Sequence, residues 1–190
     1  MAADLAAARI NMVESQVRTA DVTDVRIQDA MRTVARESLL PPQKAYLAYA
    51  DIAPEHAPGR YLLSPRDVSK LLQALRPEPG ERALAIAAPY AAAVLEHIGL
   101  SVDRLEEGDL TAAPAGPYDL IVCEGAVAAP PAAWLAALAP GGRLGVVQRA
   151  RGLSRGTVFL RAEDGVGARP AFDATAAFLP GFEPKPGFAF

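Results

Sequence analysis

Two acidic residues stand at the ends of predicted strands. Glu124 directly follows the apolar run DLIVC at residues 119–123, and Glu106 ends a strand predicted over residues 101–106. In open α/β sheets, ligands bind in the crevice beyond the carboxyl ends of the strands. Glu124 is therefore a candidate binding residue, although a polar residue leaving a buried strand is equally ordinary. Glu106 is either a second such carboxylate or a solvated loop residue beside Glu107.

Other side chains that could do chemistry are few. His56 lies in a proline-rich turn and His97 on an alanine-rich helix, and neither has a cysteine or carboxylate at ligand spacing. We expect structural or exposed histidines and no metal site. Cys123 is the single cysteine, which excludes an intramolecular disulfide framework. Its apolar strand predicts an inert buried thiol.

The elements that must position these residues alternate between strand and helix. This order predicts a doubly wound, mostly parallel sheet, followed by an antiparallel hairpin over residues 156–173 around Asp164-Gly165. The predicted strands are 83–88, 101–106, 119–123 and 143–147, with helices at 91–98 and 131–139.

The first 76 residues have helical periodicity. Ile27, Ala30 and Met31 fall on one face of a helix that Thr23 could cap. Ser64 followed by proline predicts the start of a later helix, with Ser64 as its N-cap. We expect a single domain in which residues 1–76 form a helical cap and residues 77–190 form the sheet-containing core.

Composition narrows the functional classes. The chain has 190 residues, of which 51% are hydrophobic and 22% charged, and a net charge of −3 without long blocks of one sign. These values predict a globular domain and argue against nucleic acid as a partner. The absence of a long apolar run argues against a membrane span. We expect a cytoplasmic protein.

Four segments together resemble the protein-L-isoaspartate O-methyltransferases. They are NMVESQVR at 11–18, GRYLLSP at 59–65, PYDLIVCEGA at 117–126 and GGRL at 141–144. The resemblance extends over most of the chain. It implies a Rossmann-like methyltransferase sheet, S-adenosylmethionine as cofactor and isoaspartyl residues of damaged proteins as substrate.

The resemblance also assigns site residues. Glu106 corresponds to the acidic residue that would bind the ribose hydroxyls of the cofactor, and Tyr90 aligns with the tyrosine after the cofactor turn. Asp109, after Gly108, matches the Gly-Asp that would contact the adenine. Ser64 is the serine nearest to the family's catalytic hydroxyl, but it stands one position later.

Three departures from the family pattern fall around this one site. The glycine-rich turn after the first strand is replaced by residues 87–89 (AAP), and the acidic position before it is Ala85. Alanine and proline do not supply the positive φ that glycine allows. Leu63 stands where the family has its hydroxyl residue. Only residues 107–117 join the second and third strands, which leaves the sheet one edge strand short.

Two functions are compatible with this pattern. The first is a degenerate homologue with weak or no S-adenosylmethionine binding, which uses the scaffold for binding or assembly. The second is an active carboxyl methyltransferase that acts on L-isoaspartyl residues. The three coincident departures favour the first.

The tail supplies one further expectation. Phe182, Phe188 and Phe190 lie between prolines, and such an apolar tail should dock on its own domain or on a neighbour. Docking on a second copy would make the protein a homodimer.

Overall fold

The computed structural model describes residues 4–184. Its helices are α1 (Leu5–Met12), α2 (Val25–Thr33), α3 (Pro65–Leu75), α4 (Pro89–Ile98) and α5 (Ala132–Ala136). Its strands are β1 (Glu55–Ala57), β2 (Arg60–Tyr61), β3 (Arg82–Ile86), β4 (Ser101–Leu105), β5 (Tyr118–Val127), β6 (Leu138–Ala150), β7 (Leu153–Ala162) and β8 (Gly165–Asp173). A π-helix (Val13–Val17) and 3-10 helices (Arg18–Ala20, Arg36–Leu39, Pro42–Leu47) complete the first third.

Six strands form one sheet in the order β4–β3–β5–β6–β7–β8. β3 pairs in parallel with both β4 and β5, and β5 pairs in parallel with β6. The last three strands are antiparallel. The predicted fold class, a mostly parallel sheet with a C-terminal antiparallel hairpin, is confirmed.

The parallel edge of the sheet is β4. The next strand in the chain, β5, lies on the far side of β3, and residues 106–117 between them contain neither helix nor strand. The short connection predicted that the sheet lacks an edge strand. In the described part of the chain, no further strand extends the sheet beyond β4.

Both faces of the sheet are covered by other parts of the chain. Alternate residues of each strand point to opposite faces, so each strand contributes side chains to both. On one face Ala83, Ala85 and Val122 pack with α3, α4 and the N-terminal helices. On the other face Leu84 and Ile121 pack with a cluster that includes Trp134 and Phe182.

The N-terminal helices bury the predicted face of α2. Ile27, Ala30 and Met31 are fully buried there. The predicted cap is wrong by one residue, because the side chain of Asp24, rather than Thr23, accepts a hydrogen bond from the N–H of Arg26 at 2.9 Å. Thr23 instead donates its N–H to the side chain of Gln73.

Helix α3 begins as predicted. The Ser64 hydroxyl accepts a hydrogen bond from the Asp67 N–H at 3.2 Å, and Pro65 occupies the first helical position. The helix packs directly on the sheet, where Leu75 meets Gly145. A Cβ at position 145 would lie 2.7 Å from Leu75 Cδ1, so glycine is required for this close approach.

The antiparallel pair β6–β7 is longer than predicted. Strand is predicted only over residues 143–147 and from residue 156 onwards, but β6 continues to Ala150 and β7 begins at Leu153. Arg151 and Gly152 form a two-residue turn with φ of 51° and 78°. Positive φ at both positions is characteristic of a type I′ hairpin turn, whose twist matches that of the strands.

Candidate functional site

The carboxyl ends of β3 and β5 border the crevice in which a sheet of this class binds ligands. From β3 the chain passes through α4 to β4 on one side, and then returns to β5 on the other side of β3. Such a reversal is the topological switch point, where the two connections diverge and leave a crevice.

The turn between β3 and α4 contains no glycine but adopts a glycine-like conformation. Ala87 has a φ of 47°, in the left-handed region. Our expectation that alanine would not supply a positive φ is therefore wrong at this residue. The conformation costs about 1 kcal/mol for a residue with a Cβ, and the fully buried surroundings of Ala87 hold it in place.

Helix α4 starts without a local cap. Its N-cap residue, Ala88, has no side-chain acceptor, and Pro89 occupies the first helical position. The carboxylate of Glu124 supplies the missing acceptor from β5, because its Oε1 accepts a hydrogen bond from the Ala91 N–H at 2.7 Å. A negative charge at this position also interacts favourably with the helix dipole.

Glu124 lies in an irregular part of β5. The pairing of β5 with β6 shifts between Val122 and Ala126, and Gly125 inside this bulge has a φ of 137°. Bulges redirect side chains and are common beside functional sites. The Glu124 side chain is 1% exposed, and its Oε2 accepts a second hydrogen bond from the Leu63 N–H at 2.9 Å.

Arg36 is the nearest compensating charge. It is fully buried, and it donates from Nε to the carbonyl of Ala48 at 2.9 Å and from Nη2 to the carbonyl of Leu63 at 2.5 Å. Burial raises the pKa of the Glu124 carboxyl, and the charge of Arg36 opposes that shift. Burial likewise lowers the pKa of Arg36, against the charges around it.

Tyr90, the second residue of α4, stacks against this arginine. Its ring is fully buried, and the guanidinium carbon of Arg36 lies 4.6 Å from the ring centroid. Burial raises the pKa of the Tyr90 phenol. Neither the Tyr90 hydroxyl nor Arg36 Nη1 has a hydrogen-bond partner among the described residues.

Glu106 follows β4 and is paired with Arg60. Arg60 Nη2 donates to Glu106 Oε2 at 2.8 Å, and Nη1 donates to the carbonyl oxygen of Glu106. Burial raises the pKa of the Glu106 carboxyl, and Arg60 opposes the shift. The other carboxylate oxygen, Oε1, is buried and has no partner within residues 4–184.

The two remaining predicted site residues make local contacts. Asp109 is exposed, and its carboxylate accepts hydrogen bonds from the N–H and the hydroxyl of Thr111 at 2.9 and 2.6 Å. Ser64 caps α3, as described above. The hydrogen bonds described for Asp109 and Ser64 are thus local ones, whereas Glu124, which the sequence marked as a candidate, and Arg36, which it did not, are tied to distant segments at the crevice.

The sequence carried a signal for Glu124 but not for Arg36. Glu124 is a carboxylate inside the segment 118–127 that is otherwise apolar apart from Asp119, and a charge in such a strand requires a specific partner. Arg36 had no comparable signal, because arginine in a polar helical segment is ordinary. Its complete burial follows from how the 3-10 helices fold over α4.

The histidines and the cysteine differ in environment. His56 is partly buried, and burial together with the charges of Arg60 and Arg36 lowers its pKa to about 4. His97 is exposed. Cys123 is buried, which raises the pKa of its thiol and agrees with the predicted inert role. No group of three potential metal ligands occurs in the described chain.

Four cavities are described, and none of these four is lined by Glu106, Tyr90 or Glu124. The largest has a volume of about 820 Å³ and lies between the end of α3 and the β7–β8 hairpin. Within residues 4–184, no helix combines the length and the hydrophobicity needed to cross a membrane.

The predicted tail contact is seen in part. Phe182 packs on the chain's own core, with its ring centroid 5.4 Å from that of Trp134. Phe188 and Phe190 lie outside the described residues.

Curated proteins similar to this chain share one description. A protein-L-isoaspartate O-methyltransferase from Methylorubrum populi is 34% identical over 165 residues, covering 73% of this chain and 78% of the relative. One from Methylorubrum extorquens is 32% identical and covers 74% of each chain. One from Aeropyrum pernix is 28% identical and covers 91% of this chain and 78% of the relative.

Solved structures agree in fold. A beta-aspartate methyltransferase from Plasmodium falciparum, in complex with S-adenosyl-L-homocysteine, matches with a TM-score of 0.74 at 14% identity, over 90% of this chain and 97% of the other. A second protein-L-isoaspartate O-methyltransferase structure matches with a TM-score of 0.72 at 18% identity, over 91% and 66%. No family profile matches the sequence. The sequence identity and coverage of these relatives show that the chain belongs to the protein-L-isoaspartate O-methyltransferase family.

Proposed function

We propose that this chain is a non-catalytic member of its family, which retains the scaffold for binding or assembly and does not use S-adenosylmethionine. The observation that carries the proposal is the pairing of Glu106 with Arg60. The carboxylate that would hold the cofactor ribose is already bound to a guanidinium of the same chain. A ribose hydroxyl that bound Oε2 would have to displace a charged hydrogen bond, which is stronger than a neutral one.

The crevice next to Glu106 does not fit the cofactor well. S-adenosylmethionine carries a carboxylate on its methionine part, and the N–H of Ala91 at the start of α4 is already donated to Glu124. A second carboxylate beside the buried Glu124 would meet a like charge in a region of low dielectric constant. The alanine turn also places a buried Cβ of Ala87 where glycine would allow close approach of a ligand.

On this proposal the chain is a folded domain of the family whose cofactor crevice is occupied by its own side chains. Such a domain can still recognise a protein by its surface, as its relatives must do if they act as their names state. We therefore assign it a role as a binding or structural protein and not as a methyltransferase.

The alternative is an active S-adenosylmethionine-dependent methyltransferase that modifies L-isoaspartyl residues of damaged proteins. One observation favours it, since Glu106 is retained after β4 and its Oε1 is a buried oxygen with no partner among the described residues. An acceptor in that state is available to a donor from a ligand.

Isothermal titration calorimetry of the whole protein with S-adenosylmethionine and S-adenosylhomocysteine separates the two. For this chain we expect no saturable heat of binding at millimolar ligand. The relative from Methylorubrum populi, measured in the same buffer, serves as the comparison protein. Micromolar binding by this chain would overturn the proposal. Methyl transfer to an isoaspartyl peptide would establish the alternative.

A further inference from the structure

We infer that Glu124 is a built-in ligand: its carboxylate fills a carboxylate-binding site in the crevice between β3 and β5, and a chain without it binds a free monocarboxylate there. The inference deepens the proposed function and rests on it, since it names the side chain that closes the crevice. It concerns the chain's own groups and does not depend on any bound cofactor.

The site has donors on two sides of the carboxylate. The Ala91 N–H at the N-terminus of α4 donates to Oε1 at 2.7 Å, and the Leu63 N–H donates to Oε2 at 2.9 Å. Helix N-termini with free N–H groups are general anion-binding positions. Here the helix has ten residues and no cap of its own, so its acceptor must come from elsewhere.

A buried positive charge and two unused donors lie close to the N-terminus of α4. Arg36 is fully buried, and its charge acts on Glu124 although its direct bonds are to the carbonyls of Ala48 and Leu63. Its Nη1 and the hydroxyl of Tyr90 are fully buried and have no partner among the described residues. A buried arginine and free donors beside a helix N-terminus are the chemistry of an anion site and not of an apolar core.

The position of Glu124 explains why it reaches this site. It lies in the bulge of β5, where the pairing with β6 shifts register, and the bulge lies at the switch point where ligands bind in such sheets. The carboxylate thus stands where an anionic ligand would stand, and it is held by the same kinds of donor.

The chemistry of the side chain suggests a direct test. Replacing Glu124 by alanine removes the atoms of one acetate ion while leaving the Cβ in place. We expect E124A to be less stable than the wild type, and acetate to raise its melting temperature with the logarithm of its concentration above the Kd, by about 2–4 °C at several times the Kd. Sodium chloride at equal ionic strength should give no such rise.

Two variants serve as controls. E124Q keeps the volume of the side chain, so acetate should not find space and should not stabilise it. D109A removes an exposed carboxylate whose hydrogen bonds are local ones to Thr111, so acetate should act on it as chloride does. Propionate, which is one methylene larger than the space, should stabilise E124A less than acetate does.

Each outcome is decisive. If E124A is unfolded in chloride, recovery of its native Trp134 fluorescence in acetate supports the site, and a chain that stays unfolded in acetate overturns it. An equal response of E124A, E124Q and wild type to acetate also overturns it. Binding of S-adenosylhomocysteine by the wild type would contradict the proposed function instead, and would be seen in a separate titration.

Discussion

Arg36 and Glu124 are bound to opposite sides of one residue, Leu63. The carbonyl of Leu63 accepts from Arg36 Nη2 at 2.5 Å, and its N–H donates to Glu124 Oε2 at 2.9 Å. Both charged side chains are buried, and the charge of each opposes the pKa shift that burial causes in the other. Leu63 is also the position at which the family pattern has a hydroxyl residue, and here its backbone has the structural role.

Removal of either charge should be strongly destabilising. We expect R36M to lower the free energy of unfolding by about 3–5 kcal/mol, because it leaves Glu124 buried without compensation. The double variant R36M/E124Q should be more stable than the sum of the single variants predicts, by about 1–3 kcal/mol. Urea unfolding followed by the fluorescence of Trp134, the single tryptophan, measures all four proteins. Simple additivity would show that the two charges are independent.

The strained turn predicts different effects for two nearby alanines. Ala87 has a positive φ, whereas Ala85 lies inside β3 and has no positive φ. A87G should change the free energy of unfolding little, since the relief of about 1 kcal/mol of strain offsets much of the lost buried methyl group and the added backbone freedom of the unfolded chain. A85G should lower it by about 1–2 kcal/mol, because it loses a buried methyl group and gains backbone freedom in the unfolded chain. Equal losses in urea unfolding would refute the assigned strain.

His56 should make the fold sensitive to acid. Its pKa is lowered from 6.5 to about 4 in the folded protein, so between these values the unfolded chain binds more protons than the folded one. Stability should therefore fall as the pH is lowered from 6.5 towards 4, by at most about 1.4 kcal/mol per pH unit and by less because His56 is only partly buried.

The matched variants are H56Q and H97Q. H56Q should flatten the pH dependence of the melting temperature in this window, because the titrating group is gone. H97Q removes an exposed histidine and should leave the slope unchanged. An unchanged slope in H56Q would mean that other groups determine the acid response.

We expect Ser64 to stabilise the fold as the N-cap of α3 and not to act as a catalytic hydroxyl. S64A should lower the free energy of unfolding by about 1 kcal/mol, and S64D should retain stability, since aspartate also accepts from the helix N–H. S38A changes an exposed serine outside the cap and should have little effect. Thermal unfolding of the three variants tests this, and a neutral S64A would show that the Ser64 hydroxyl does not support α3.

The sequence was most informative where structure depends on neighbours in the chain. The Ser64 cap acts over three residues, and the apolar run 119–123 predicted a buried strand without reference to any partner. The short connection 107–117 was sufficient to predict that the sheet lacks an edge strand, since chain length limits what can be built. The resemblance to the family was likewise recognisable from short local segments of the sequence.

The tertiary structure decided what lies in the crevice. Leu63 and Glu124 are 61 residues apart, Ala91 and Glu124 are 33 apart, and Arg60 and Glu106 are 46 apart. No local propensity encodes these pairings, because they depend on where a bulge turns a side chain and on which segments the packing brings together. The positive φ of Ala87 belongs to the same group, since alanine does not prefer it and only the buried surroundings impose it.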